Sequence, residues 1–258
     1  MDIESIKKNL KTKVIGRKIY FYKEIGSTND EAARLSKLGA GEGTVVIAES
    51  QTKGRGRLGR SWVSKEGESL TFSIIVKPHL SAKKIFVLTL LGSLSSVRAI
   101  RWQTSLEAKL KWPNDIVVGE RKVAGALSQV SLSKTGPNSI IVGIGINVNN
   151  SIFPHELRDV ASSLRLEAGR KVSREKLLGA ILTEFERLYF LFLSKKELEI
   201  FNEWRMVSET LGRNVRAETK KGNFEGEAVN LGEAGELIIR SKGGRIKRLK
   251  PSEVIRLR

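Results

Sequence analysis

The spacing of apolar residues predicts a chain in which short strands alternate with helices. Alternating positions, as at residues 13–25, and short apolar runs, such as Thr-Val-Val-Ile-Ala at residues 44–48, are typical of strands. A glycine-first turn at Gly119-Glu120 joins two such strands and indicates a β-hairpin. The strands predicted before residue 150 are at residues 13–25, 43–49, 70–77, 108–112, 115–118, 121–130 and 139–148.

Four stretches carry helical signals. Thr28-x-x-Glu31 is a capping-box pattern, which predicts a short helix that ends near Gly39. Apolar residues recur at helical spacing over residues 81–102, which predicts a long core helix. Two further helices are predicted over residues 173–193 and 195–207.

The pattern changes from Leu211 onward. Turn residues there separate short strands, and the stretch is too short and strand-rich to extend the first core. It therefore predicts a small C-terminal β-barrel. The boundary near Ser208 gives two predicted domains, residues 1–208 and 209–258. The strands of the second are predicted at residues 214–219, 224–231, 236–241 and 246–249.

Composition places the chain among ordinary globular proteins, since 40% of its 258 residues are hydrophobic and 29% are charged. No apolar run approaches the roughly 20 residues of a membrane span. Residues 1–10 lack the apolar centre of a secretory signal, so the expected location is the cytoplasm. Cysteine is absent, and the two histidines, His79 and His155, are far apart. Thiol chemistry is thereby excluded, and a zinc site or histidine triad is disfavoured.

The formal net charge of +18 favours anionic partners such as nucleotides, nucleic acid or an acidic protein. A solvated surface rich in both charges explains it equally well. Cations are concentrated near the end of the chain, at Arg240, Lys242, Arg245, Lys247, Arg248, Lys250, Arg256 and Arg258.

Residues 54–60, Gly-Arg-Gly-Arg-Leu-Gly-Arg, form the most unusual segment. Gly54, Gly56 and Gly59 fit the dinucleotide fingerprint, and the segment is one substitution away from a P-loop. Both motifs require a helix directly afterwards. The next predicted element is a strand, so both interpretations are rejected. Two remain open: a basic loop that folds over an anion, and a mobile basic surface loop.

Three other segments carry polar side chains at strand ends or beside glycines. The Pro-Asn-Asp of residues 113–115 is also ordinary turn chemistry, and Trp112 is the kind of residue that a core buries. Lys122 precedes the small residues Val-Ala-Gly at 123–125, although a lone lysine usually faces solvent. The glycines of residues 143–147 interrupt a buried strand where a ligand can approach closely.

The order of these segments is more informative than any one of them. The chain reads Ser27-Thr28-Asn29, Gln51-x-x-Gly54-Arg55-Gly56-Arg57, Lys111-Trp112-Pro113-Asn114-Asp115, Arg121-Lys122-Val123-Ala124-Gly125 and Gly143-Ile144-Gly145-Ile146-Asn147. In this order the segments resemble the motifs of the biotin protein ligases. The resemblance extends from about Ile15 to the end of the chain.

The resemblance implies an α+β fold: a mixed, mainly antiparallel sheet packed by helices, like the catalytic core of class II aminoacyl-tRNA synthetases, with a small C-terminal β-barrel. It implies an enzyme that makes biotinyl-AMP from biotin and ATP, with Mg²⁺, and then biotinylates one lysine of a carboxyl carrier protein. It further implies a homodimer. Regulatory members carry an N-terminal helix-turn-helix. Too few residues precede Ser27 for that module, so sequence-specific DNA binding is not expected.

The resemblance also assigns residues. Lys122 and Arg57 are the implied catalytic residues, and Asp115 is a candidate for holding magnesium. The loop at residues 54–60 is expected to become ordered only when a ligand arrives, because ordering a residue costs about 1–2 kcal/mol. The implied biotin-binding residues are Ser27, Thr28, Asn29, Gln51, Gly54, Arg55, Gly56, Arg57, Lys122 and Gly125. The implied ATP-binding residues are Arg57, Arg60, Trp62, Lys111, Asn114, Asp115 and Asn147.

Two alternatives stay open at the level of sequence. A lipoate or octanoyl transferase shares the core plan, but the polar residues at 27–29 and Gln51 argue against it. A basic nucleic-acid-binding module that uses the small barrel and its cationic tail is the other alternative.

Overall fold

The computed structural model describes residues 1–79, 84–132 and 139–257. It confirms the predicted α+β fold. The helices are α1 (Ile3–Asn9), α2 (Thr28–Lys37), α3 (Ile85–Thr104), α4 (Leu164–Ala168), α5 (Arg174–Leu193) and α6 (Glu197–Met206). The strands are β1 (Ile19–Ile25), β2 (Val45–Gln51), β3 (Ser69–Val76), β4 (Ala108–Lys111), β5 (Asp115–Val118), β6 (Arg121–Ser131), β7 (Ser139–Asn147), β8 (Asn214–Thr219), β9 (Gly222–Leu231), β10 (Leu237–Arg240), β11 (Ile246–Leu249) and β12 (Val254–Leu257).

The first seven strands form one mixed sheet in the order β1-β2-β3-β7-β6-β5-β4. β1 and β2 run parallel, which is possible because the helix α2 connects them, and the other neighbours are antiparallel. The expectation of a mixed, mainly antiparallel sheet is therefore confirmed. The predicted hairpin at Gly119-Glu120 joins β5 to β6.

Helices cover the two faces of this sheet unequally, because alternate residues of a strand point to opposite faces. α3 and α5 pack on one face and build the larger core with residues such as Phe72 and Ile144. α2 packs on the other face, where Ala32 and Leu35 meet Ile75. Because α2 is short, none of the described helices covers the glycine-rich part of this second face.

The helix α3 is long and apolar enough, by length and composition, to cross a bilayer, which the sequence analysis did not anticipate. In the protein 72% of its most apolar window is buried. Gly92 lies against Val142 of β7, where an added Cβ would be 3.1 Å from a valine methyl group. α3 is thus the central core helix of the large sheet.

The last five strands form a second, antiparallel sheet in the order β11-β10-β9-β8-β12. It is the small SH3-like unit that the sequence predicted as a barrel, and its edge strands are β11 and β12. The Trp112 indole N–H donates at 3.0 Å to the carbonyl of Gly235, in the turn that joins β9 to β10 of this sheet. Trp112 is therefore a buried contact between the two sheets, as its residue type suggested.

Residues 13–18 are not a strand, in contrast to the prediction. The carboxylate of Glu186, on α5, accepts the backbone N–H groups of residues 13–15 at 2.7–2.9 Å. These donors are bound by a side chain instead of a sheet partner. Three short elements, α1, α4 and β12, were not predicted. The predicted helix start at residues 81–83 lies outside the described residues.

Candidate functional site

A glycine-lined floor marks the open part of the large sheet. Three glycines lie on the face of the sheet that α2 covers in part: Gly125 of β6, and Gly143 and Gly145 of β7. Ile144, between the two β7 glycines, packs toward α3 on the opposite face. Gly125 and Gly145 are paired across the two strands. The absence of side chains lets other groups lie directly on the backbone here.

Asn29 occupies the space above Gly143. A Cβ on Gly143 would lie 2.0 Å from the Asn29 Oδ1 atom, so no other residue fits at this position. Ser73 of β3 lies beside them with its hydroxyl oxygen 2.6 Å from Asn29 Oδ1. Asn29 and Ser73 are both buried.

The start of α2 adds two hydroxyl groups to this end of the cleft. Ser27 is the N-cap residue and its side chain makes no capping bond, while Thr28 is the first helical residue. The capping-box interpretation of Thr28 and Glu31 is therefore wrong, because Glu31 pairs with Arg34 instead. The Gln51 Oε1 atom lies 2.8 Å from the backbone nitrogen of Thr28 and 3.1 Å from its hydroxyl oxygen.

The loop of residues 54–62 forms the roof. Gly54 and Trp62 are joined by a backbone hydrogen bond of 2.9 Å, and Gly56 donates to the carbonyl of Arg60 at 2.7 Å. A Cβ on Gly54 would lie 2.4 Å from the carbonyl oxygen of Trp62, so glycine is required at the base of the loop. No helix follows the loop, which itself contains a short 3₁₀ turn at Arg57–Gly59; the next regular element is β3. This confirms the rejection of the P-loop and dinucleotide interpretations.

The Trp62 side chain lies against the glycine floor. A Cβ on Gly145 would be 2.5 Å from the indole ring. The indole Nε1 atom is buried and has no hydrogen-bond partner among the described residues. The Lys122 ammonium lies 5.7 Å from the ring centre, within range of a cation–π interaction.

Lys122 and Asp115 form an ion pair across the β5–β6 hairpin, with 2.6 Å between Nζ and Oδ1. A register shift between Ile116 and Val117 leaves Val123 of β6 without a partner on β5 at this point. Gly125 leaves room for the lysine, since a Cβ there would lie 3.3 Å from its ammonium nitrogen. Both charged side chains keep about a third of their surface exposed toward the cleft.

Two buried amides line the same side of the cleft and are held by backbone carbonyls. Asn114 Nδ2 donates to the carbonyl of Ala126 at 2.8 Å, and Asn147 Nδ2 donates to that of Ser162 at 3.1 Å. Lys111 also lines the cleft here.

The guanidinium of Arg57 reaches the C-terminal sheet. It donates to the carbonyls of Pro251 and Val254 at 2.6 and 3.0 Å. Burial lowers the pKa of Arg57, the nearby Asp115 carboxylate opposes this effect, and Arg60 adds to it. Arg60 donates to the carbonyl of Ile255 at 3.5 Å, and Arg55 instead pairs with the carboxylate of Asp30.

These groups enclose a single cleft of about 890 Å³. Every site residue predicted from the sequence lines it except Gly54, which supports the loop from beneath. The sequence analysis missed the segment of residues 254–257, which borders the cleft from the second sheet. It flagged that segment only as cationic. It also left residues 150–170 without a role, and the structure places Phe153, His155 and Ala161 of that stretch on the cleft wall.

In the part of the chain that the structure describes, no group of three or more acidic or histidine side chains could hold a metal ion. Asp115 is a single carboxylate beside the amides of Asn114 and Asn147. Magnesium usually takes one or two carboxylates and completes its shell with waters and substrate phosphates. The donor set therefore fits an ion that arrives with a phosphate ligand.

Comparison with known proteins identifies similar sequences. A sequence model of the Biotin/lipoate A/B protein ligase family matches residues 22–147. The Bifunctional ligase/repressor BirA of Bacillus subtilis is 35% identical over 251 residues, which are 96% of this chain and 77% of that protein. The Biotin--[acetyl-CoA-carboxylase] ligase of Paracoccus denitrificans is 30% identical over 85% of this chain and 92% of its own length.

A solved structure gives the same result. The biotin protein ligase from Aquifex aeolicus in complex with biotin and ATP superposes with a TM-score of 0.82 at 35% identity. The superposition covers 94% of this chain and 99% of that one. The similarity thus includes both sheets.

Proposed function

This chain belongs to the biotin protein ligase family, and on that premise we propose that it joins biotin to ATP and passes the biotinyl group to a carrier lysine. In the first step a biotin carboxylate oxygen attacks the α-phosphorus of ATP. The bond from that phosphorus to the β-phosphate bridge breaks, which gives biotinyl-AMP and pyrophosphate. In the second step the lysine amine attacks the acyl carbon, loses a proton and releases AMP.

The observation that carries the proposal is the convergence of five separated motifs on one cleft, from Ser27 to Asn147. One end of the cleft is rich in hydroxyl and amide groups and has no net charge, since Arg55, the one cation there among the described residues, is paired with Asp30. The other end carries Lys122, Arg57 and Arg60. Biotin has a neutral head group and a carboxylate tail, and ATP carries a triphosphate. Bound end to end, the two ligands would present neutral and then anionic groups in the same order as the polar and then cationic residues of the cleft.

We assign the biotin head group to the polar end. Ser27, Thr28, Asn29 and Gln51 supply donors and acceptors for a cyclic urea, and the bare floor at Gly125 leaves space for its rings. A site built from buried hydrogen-bonding groups rejects ligands that leave them unpaired. Gly54, Arg55 and Gly56 belong to the roof over this part. The same polar end disfavours lipoate, which lacks a ureido group.

Lys122 and Arg57 are assigned to the reacting anions. Attack of a carboxylate on a phosphate brings like charges together, so fixed cations lower the energy of the transition state. In this assignment Lys122 contacts both the biotin carboxylate and the α-phosphate. Arg57 contacts the phosphate from the roof. Magnesium held at Asp115 would neutralise further phosphate charge.

The remaining cleft residues are assigned to the nucleotide: Arg60, Trp62, Lys111, Asn114 and Asn147. Trp62 is the flat apolar surface for adenine stacking, and the amides and Lys111 hydrogen-bond to the sugar and phosphates. For ATP to bind in this way, the indole has to leave the glycine floor at Gly145. Ligand-dependent rearrangement of the loop stays a prediction.

The acceptor we propose is the biotin carrier protein of acetyl-CoA carboxylase, in keeping with the name of the Paracoccus relative. The chain's charge of +18 suits an acidic carrier. We also propose that the chain acts in the cytoplasm as a homodimer, and that its catalytic domain and small C-terminal domain divide near Ser208.

The test is a reconstitution with purified protein. Incubation with ATP, magnesium and biotin should yield biotinyl-AMP, and a carrier domain added afterwards should gain one biotin by mass spectrometry. A folded protein that binds biotin but makes no adenylate would overturn the proposal. Lipoate in place of biotin serves as the matched control, and preferential use of lipoate would establish the transferase alternative.

A further inference from the structure

Ser73 is buried beneath the polar end of the cleft and does not line it. It lies on β3, paired with Gly143 of β7 and Val46 of β2. Its hydroxyl oxygen is 2.6 Å from Asn29 Oδ1 and 2.8 Å from Thr28 Oγ1. One fully buried hydroxyl therefore contacts both of the α2 residues assigned above to the biotin head group.

The direction of these hydrogen bonds follows from a single backbone carbonyl. The carbonyl oxygen of Asn29 can only accept, and the amide of Gln129 lies 3.4 Å from it, so the Gln129 Nε2 group must face it. Gln129 Oε1 then faces the Asn29 side chain, also at 3.4 Å. Asn29 must present its Nδ2 group to that oxygen and turn its own Oδ1 toward Ser73.

This orientation of Asn29 determines which hydrogen bonds the Ser73 hydroxyl donates and accepts. Its one hydrogen goes to Asn29 Oδ1, because an amide oxygen cannot donate. Its oxygen, 2.8 Å from the Thr28 hydroxyl, can only accept there. The Thr28 hydroxyl has two acceptors within reach, Ser73 Oγ at 2.8 Å and Gln51 Oε1 at 3.1 Å, so its hydrogen stays inside the site and its oxygen is left to accept from the cleft.

These hydrogen bonds determine which groups at this end of the cleft are left to donate to a ligand and which are left to accept. Thr28 offers an acceptor, and Asn29 offers the second hydrogen of its Nδ2 group. Gln51 Oε1 accepts from the Thr28 backbone N–H and also lies within hydrogen-bond distance of the Thr28 hydroxyl, so the Nε2 group of Gln51 is the part left to donate. A cyclic urea has one accepting oxygen and two N–H donors, which matches a site with both amide donors and a hydroxyl acceptor.

We propose that Ser73 is a positioning residue, whose hydroxyl holds the Asn29 side chain with its Nδ2 group toward the cleft and thereby supports selectivity for a ureido carbonyl. The proposal rests on the function proposed above. Without Ser73, the Asn29 Oδ1 atom would lose its donor in a buried site. Only the 3.4 Å contacts with Gln129 would then hold the amide, which could rotate and turn its Nδ2 group away from the cleft.

The test compares Ser73→Ala with the wild type in calorimetric titrations of three ligands. Biotin and desthiobiotin both carry the ureido carbonyl, whereas 2-iminobiotin replaces its oxygen with a nitrogen donor. We expect Ser73→Ala to lower the affinity for the first two about tenfold or more, since a buried partner is lost. The affinity for 2-iminobiotin should change least, so the biotin-to-iminobiotin ratio falls about tenfold.

Ser95→Ala is the matched control. Ser95 is equally buried, on α3, and donates to the Gly92 carbonyl of its own helix at 3.0 Å. Its removal should leave all three affinities and their ratio unchanged. In turnover assays Ser73→Ala should raise the KM for biotin with kcat nearly unchanged, and Ser73→Cys, which keeps a weak donor, should restore part of the ratio.

An equal loss of affinity for all three ligands would overturn the proposal, because a merely structural defect does not distinguish them. An unchanged affinity for biotin would overturn it too. Failure of the wild-type protein to bind biotin is a separate outcome, since it would contradict the proposed function before Ser73 is tested. Unfolding midpoints of both alanine variants show whether either change disturbs the fold.

Discussion

The ammonium of Lys122 and the carboxylate of Asp115 lie 2.6 Å apart at the edge of the cleft, each about one-third exposed. A half-open pair of this kind contributes little to stability, because water solvates both charges. An arriving carboxylate or phosphate can therefore share or displace Asp115 as the partner of Lys122. The pair holds the lysine in place at the centre of the proposed reaction.

Replacing Lys122 by alanine should reduce adenylate formation by about one to two orders of magnitude, since charge-assisted hydrogen bonds contribute about 1.5–3 kcal/mol each. Pyrophosphate release at saturating biotin and ATP measures the effect. Lys109→Ala is the control, because Lys109 lies on β4, is similarly exposed and pairs with Glu107 and Glu209. An equal loss in both variants would contradict the role given to Lys122.

Replacing Arg57 by lysine should lower adenylation and loosen the C-terminal segment together. A single ammonium lacks the planar fork with which Arg57 binds the carbonyls of Pro251 and Val254. Hydrogen exchange at residues 254–257 should accelerate, and the KM for ATP should rise about tenfold, equivalent to roughly 1.4 kcal/mol. Arg216→Lys, at an exposed pair with Glu225, should change neither quantity.

An alanine at position 145 should push Trp62 out of the cleft, because its Cβ would lie 2.5 Å from the indole ring. The emission of Trp62 is isolated by subtracting the spectrum of the same variant with Trp62→Phe added. Compared with the wild type, this emission should shift to the red as the ring enters water. Biotin affinity should also fall, because the floor is no longer bare. Gly179→Ala serves as the control, since a Cβ on this α5 residue would contact nothing.

Stability should depend on pH through Glu49. Burial of its carboxyl raises the pKa, but hydrogen bonds from Arg174, the Met1 amine and the Gly67 N–H outweigh burial and hold the pKa at about 2. Because the folded pKa is depressed, this group stabilises the fold above the unfolded value of about 4.3. That stabilisation is lost as the pH falls from about 5 toward 2.

Glu49→Gln should therefore lower the free energy of unfolding at pH 7, and the difference from the wild type should shrink as the solution is acidified. Urea titrations at pH 7, 5 and 4 would show this trend. Glu4→Gln is the control, because Glu4 forms an exposed pair with Lys7. A difference independent of pH would contradict the assignment to the Glu49 carboxylate.

Local sequence accounted for most regular elements, since strand and helix periodicity depends on which residues face a core. The strand prediction failed at residues 13–18, where a distant side chain binds backbone N–H groups that a neighbouring strand would otherwise bind. Nothing near residues 13–15 in the sequence indicates that Glu186 will accept their N–H groups. It also failed for β12, a four-residue strand that pairs with β8 at the end of a cationic stretch.

The candidate site was predicted as a set of motifs, not as a geometry. The glycines at 125, 143 and 145 indicated that a ligand or another backbone approaches the strands closely, because glycine inside a strand often marks such a site. Ser73 carried no such signal. It is an ordinary serine in an apolar strand, and its meaning depends on Thr28 and Asn29, more than forty positions earlier in the chain.

The sequence by itself determined the fold class, the family and the residue types of the cleft, because periodicity and motif order are local or nearly so. Only the tertiary structure decided which groups meet. It placed Arg57 on the carbonyls of the second sheet, Trp62 over Gly145, and Ser73 beneath Asn29. Hydrogen-bond polarity and close packing are properties of contacts between distant segments, and these contacts exist only once the chain has folded.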